Sequence, residues 1–136
     1  MINPNELRVG NKVAMPFLGD VILDVIGIAV NSENKTFIQT EYQKDNFFEL
    51  PIKHQPIPLT EEWLVRFGFE KAITAFTYFW HYKKIRISQN DTFVGKDTFL
   101  CMLIGNNLGT NIQHVHQLQN LYFALTGEEL TLNSNP

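Results

Sequence analysis

Apolar and polar positions alternate along the first fifty residues, and only two later stretches carry the spacing of a helix. Gly10-Asn11 marks a turn into a strand beginning near Lys12, and Asn3 or Asn5 can cap a short turn before it. DVILDVIGIAV (20–30) is rich in β-branched side chains. Val21, Leu23 and Val25 share one face and Ile22, Ile26 and Ile28 the other, which predicts a largely buried strand or strand pair. NSEN (31–34) is turn chemistry. KTFIQTEY (35–42) alternates, with Thr36, Ile38, Thr40 and Tyr42 on one face, and DNFFEL (45–50) is a further short strand. The pattern predicts a curled antiparallel β-unit of four or five strands.

The pattern changes at PIKHQPIP (51–58), where three prolines predict an extended linker. Thr60 is then a good N-cap, Glu61 and Glu62 suit the positive end of a helix dipole, and Leu59 and Leu64 form a hydrophobic staple. Gly68 is placed for a left-handed cap. The reading is a two-turn helix over 60–67 that buries Trp63, Leu64 and Phe67. Residues 72–88 read as strand, either continuous or as a hairpin turning near 81–84. A turn near 91–97, a strand at 98–104 and a loop at 106–111 follow. Val115, Leu118, Leu121, Tyr122 and Leu125 have helical period, Gly127 ends that helix, and EELTL (128–132) reads as a final strand before a frayed tail.

The fold class expected is α+β: the curled β-unit, a short helix, a β-meander and a C-terminal helix packed on the sheet. With 136 residues the chain fits one domain (1–136), with sub-units at 1–52 and 58–132. An apolar fraction of 44% with 11 Phe supports a real core. Net charge is −3, so binding of nucleic acid by bulk charge is not expected. A lone cysteine, Cys101 in the run FLCMLIG, fits a reducing cytoplasm and reads as a small buried hydrophobe. No secretory leader and no apolar run near the ~18 residues of a membrane span is visible. The chain is therefore expected in the cytoplasm. Residues 98–127 contain no Asp, Glu, Lys or Arg. They read as core, or in part as a surface for homo-oligomer contact.

LRVGNKV near the start resembles the first strand of SH3-like barrels, so the N-terminal β-unit is expected to be SH3-like. Three blocks, NELRVGN (5–11), PLTEEWLVRFGFEK (58–71) and VHQLQNLYFALTGEEL (115–130), resemble an uncharacterised family of small proteins from Bacteroidota, their phages and mobile elements. The resemblance implies a phage or mobile-element accessory protein, acting in the cytoplasm of a bacterial host cell. It supplies no catalytic residues. His116 belongs to the third block and His114 lies just before it.

Two stretches offer chemistry. In YFWHYKKIR (78–86), a continuous strand would place Tyr78, Trp80, Tyr82, Lys84 and Arg86 on one face, where aromatic planes beside cations suit a stacked base and its phosphate. The plainer alternative is a sheet face with basic side chains lying over aromatics, and a hairpin inside the stretch would break the pattern. His114 and His116 share a side if extended, a workable spacing for two metal ligands. The rest of a metal shell would have to come from His54, His81, Asp91 or Asp97 through folding. Otherwise His116 simply serves a helix start. Signatures such as G-x-S-x-G, a P-loop, H-E-x-x-H or C-x-x-C are missing.

These observations favour a non-enzymatic binding protein without cofactor, one form being an accessory protein that sequesters a nucleotide-type host defence signal. The alternatives are a protein–protein module that inhibits or adapts a host protein, and a small metal-dependent hydrolase built on His114 and His116.

Overall fold

Two antiparallel sheets follow one another along the chain, each with its own hydrophobic cluster. The computed structural model describes residues 2–19, 21–75, 78–89, 99–103 and 109–132. A 3₁₀ turn over Pro4–Glu6 is capped by Asn3, whose side chain accepts from Asn5 N. The first sheet is a meander of β1 (Lys12–Met15), β2 (Val21–Val30), β3 (Thr36–Tyr42) and β4 (Asp45–Glu49). The chain then makes a 3₁₀ turn over Pro51–Lys53, and Gln55 returns to bridge Ala14 on β1 through two backbone hydrogen bonds of 2.8 and 2.9 Å. That return brings the chain from the end of β4 back to the β1 edge of the sheet. Inside it lie Ile2, Leu7, Val13, Met15, Leu23, Val25 and Ile38.

The expectation for β2 needs correction. Its register with β3 shifts between Val25 and Gly27. Val25 faces Thr40 and Ile28 faces Ile38, so Ile28 has crossed to the face of Val25. The other face is not buried: Ile22 is exposed. A two-residue turn joins β3 to β4, and both of its residues, Gln43 (φ 48) and Lys44 (φ 72), are left-handed. This is the hand that matches strand twist.

The second unit begins with α1 (Glu61–Arg66), capped by Thr60 Oγ1 accepting from Trp63 N. Gly68 takes the left-handed conformation (φ 95) just beyond it. Trp63, Leu64 and Phe67 are buried as expected. Five strands follow in sequence order: β5 (Glu70–Ile73), β6 (Tyr78–Tyr82), β7 (Ile85–Gln89), β8 (Phe99–Leu103) and β9 (Gly109–Ile112). Then α2 (Val115–Thr126) ends in a left-handed Gly127 cap. The hairpin near 81–84 is present, turning at Lys83, but the strand at 72 begins earlier, at Glu70, as a separate β5. The loop expected at 106–111 is a strand from Gly109 onward. Residues 128–132 form no strand; Leu130 instead inserts into the second core. The turn at 91–97, residues 106–108 and the tail 133–136 lie outside the described residues.

The second core gathers Ile57, Leu59 and α1 with Trp80, Ile85, Ile87, Phe99, Cys101, Ile112 and the inner face of α2. Burial pushes the Cys101 thiol up to about 12, which suits an inert core residue. In the described part of the charge-free segment, Phe99, Cys101, Ile112, Val115, Leu118 and Tyr122 lie in the core, while Thr110, Asn111, Gln113 and residues 123–127 are exposed. Among the described residues no helix is long and apolar enough to cross a membrane.

Candidate functional site

The two units meet along α2. The linker pins the start of this helix: Leu59 N donates to Gln113 O and Val115 N to Ile57 O. The Gln117 side chain reaches back to accept from Gln113 N (2.8 Å) and His114 N (3.0 Å), satisfying groups that a helix start leaves open. On its first-unit side α2 presents amides. Gln119 accepts from Lys12 N (2.9 Å) and donates to Gly10 O (3.0 Å). Asn120 accepts from Asn11 Nδ2 and Arg8 Nε and donates to Glu6 O. Arg8 pairs with Glu129 and lies over the Phe123 ring. The seam is therefore polar and fully engaged.

Beside this seam opens a cleft of about 470 Å³, lined by Asn5 and Glu6, by Thr110, Asn111 and Ile112 of β9, and by His116, Gln117, Asn120 and Leu121 of α2. His116 is only 1% exposed, and neither ring nitrogen has a hydrogen-bond partner among the described residues. Its Nε2 stands 3.6 Å from Glu6 Oε2, too long for a hydrogen bond and near enough for attraction. Burial holds the His116 pKa below its ordinary value. The Glu6 carboxylate opposes that shift, and the neighbouring His114 reinforces it. His114 is lowered too, chiefly by burial. Buried polar atoms left open cost free energy and call for a partner. Thr40 Oγ1, His54 Nε2 and Trp80 Nε1 are open as well, but they lie in the two cores and not along this cleft. Of these residues only His116 lines the cleft.

The structure divides the set Tyr78, Trp80, Tyr82, Lys84 and Arg86. Trp80 (1% exposed) is buried in the second core, so its ring is closed to a stacked base. Tyr82 packs between Phe69 and Tyr122. The hairpin pairs His81 with Arg86 and Tyr82 with Ile85. Arg86 thus falls on the opposite face from Trp80, with its guanidinium 4.0 Å from the centre of the Phe79 ring. Lys84 is exposed in the turn. The cation beside Tyr78 and Trp80 is Lys71, from the unforeseen β5, at 4.5 and 5.5 Å from the two rings and paired with Glu61. No single ligand face survives.

His114 and His116 do come together, but with their rings stacked at 5.7 Å and 13°. Ring lone pairs lie in the ring plane, so parallel stacked rings do not converge on one ion. Among the described residues no group of three or more His, Cys, Asp or Glu is placed to hold a metal. His54 is buried in the first unit, bonded to Leu50 O; Asp91 and Asp97 lie outside the described residues.

Glu6 escaped the sequence reading. The signal that could have found it is that two of the three resemblance blocks, 5–11 and 115–130, are rich in amides and charges. These blocks meet across the seam. No protein-family model, no curated protein and no solved structure matches the chain.

Proposed function

We propose that this chain is a non-enzymatic binding protein that holds a small nucleotide-type ligand in the cleft between Glu6 and His116. Resemblance to small phage and mobile-element proteins makes a host defence signal the natural cargo, withdrawn from solution by binding. One observation carries the reading: a buried imidazole with both nitrogens open, at the wall of a cleft rimmed by amides. Concave sites with a few convergent polar groups are where small molecules bind.

The test is a thermal-shift screen of the purified chain against nucleosides and nucleotides. A ligand bound only by the native state stabilises it by about 2.7 kcal/mol at a hundred times its dissociation constant. The expected result is a shift with at least one of them, lost in His116→Phe, with the ligand recovered unchanged. A flat response across the panel overturns the proposal.

A second reading, docking on a host protein, draws on a different feature. Phe37 and Phe48 stack at 5.0 Å on the outer face of the first sheet, and Phe48 is 53% exposed. Stoichiometric recovery of a host protein, lost in Phe48→Ser, is its expected signature.

A further inference from the structure

Resting on the cleft reading above, we infer that the part of the ligand read by the cleft is the edge of a guanine base. The argument begins with charge. Among the described residues no Lys or Arg lines the cleft, and Arg8 on the seam is already engaged by Glu129 and Asn120. The Glu6 carboxylate, half exposed and without a hydrogen-bond partner among the described residues, repels a phosphate. The base therefore enters, and sugar and phosphate stay towards solvent.

Which base follows from donors and acceptors. An ionised carboxylate is acceptor-only, and a neutral imidazole donates from one nitrogen. Burial keeps His116 neutral. The tautomer with its proton on Nε2 is the one that faces the carboxylate, and a base edge that displaces the ring's cover meets one donor beside two acceptors, with Nε2 and Oε2 3.6 Å apart. The complement is one acceptor followed by two donors along a planar edge. Guanine presents that order: O6, then N1–H, then the N2 amine. Adenine and cytosine turn a ring lone pair towards the carboxylate, and uracil has a single N–H between two acceptors. A guanidinium shares the pair of donors but gives His116 Nε2–H nothing to bond.

Calorimetric titration of the full chain with guanosine, guanosine monophosphate, inosine, adenosine and arginine tests this. Guanosine and its monophosphate are expected to bind alike, and inosine, lacking the N2 amine, about tenfold more weakly. The Glu6→Gln variant replaces an acceptor pair with one acceptor and one donor. It should lose about tenfold towards guanosine and gain towards adenosine, with the ligand-free melting temperature unchanged. Gain towards one base with loss towards another is not the signature of a misfolded variant. Equal binding of guanosine and adenosine, or indifference to Glu6→Gln, overturns the guanine assignment and leaves the cleft reading standing. Arginine binding as tightly as guanosine overturns it in favour of a guanidinium partner. Binding of none of them removes both.

Discussion

For Lys12, the side chain of Gln119 takes the place of a neighbouring strand. It accepts from Lys12 N at 2.9 Å and donates to Gly10 O at 3.0 Å, the two bonds a β-partner would supply. Gln119 is itself fully buried. Gln119→Leu keeps the volume and leaves two backbone groups unpaired, so it should cost about 2–4 kcal/mol, measured by urea unfolding. Gln119→Glu keeps the acceptor and should cost less at low pH than at neutral pH. Equal stability of wild type and Gln119→Leu would refute the role of this residue as a strand substitute.

Trp80 and Arg86 separate a core role from a surface role. Trp80→Ala should cost about 3–5 kcal/mol, because it empties a volume walled by Phe99 and Tyr78. Arg86→Ala removes a cation from above Phe79 and should cost about 0.5–1 kcal/mol. Denaturant midpoints at constant slope compare the two, and near-equal losses contradict the placement of these side chains on opposite faces.

Acid should weaken the fold. His54, His114 and His116 all have folded-state pKa values below the ordinary 6.5, chiefly through burial. Above about pH 6.5 both states are neutral at these rings and nothing is lost. Below it the unfolded chain binds protons that the folded chain refuses, so stability falls as pH drops. The melting temperature is expected to decline from pH 7.5 to 5.5, and less steeply in His116→Gln. A profile flat over that window would show that these rings titrate normally.

The turn between β3 and β4 leaves room for improvement. Lys44 holds a left-handed conformation that costs a non-glycine residue about 1–2 kcal/mol. Lys44→Gly should raise stability by about 0.5–1 kcal/mol, since the added freedom of the unfolded chain takes back part of the gain. A lowered melting temperature in this exposed variant would mean that Lys44 makes a contact worth more than its strain.

The elements most legible in the sequence were those fixed by local chemistry. Thr60, Glu61 and Gly68 bracket α1, and Gly127 closes α2 where the apolar period stops. Period-two alternation marked β3, but in β2 a single extra residue moved Ile28 to the other face, which alternation cannot register. Strand β5 hid because Glu70-Lys71-Ala72-Ile73 carries little apolar pattern; Ala72 is its one partly buried residue, and its pairing with β6 holds it. The cleft hid for a different reason. Glu6 and His116 are 110 positions apart, and only a seam built from long-range side-chain bonds brings them together.

The bridge from Gln55 back to Ala14 also sets an order of events in time. All the strands and the closing return of the first unit lie within residues 12–55, so synthesis from the N-terminus delivers every strand of this sheet before any strand of the second. The second core waits for Val115, Leu118, Tyr122 and Leu130. The β1 edge with its Gly10 and Lys12 groups is thus made long before the helix that bonds them. Gln119 joins the last helix to the first strand, and so ties the two ends of the chain's synthesis together.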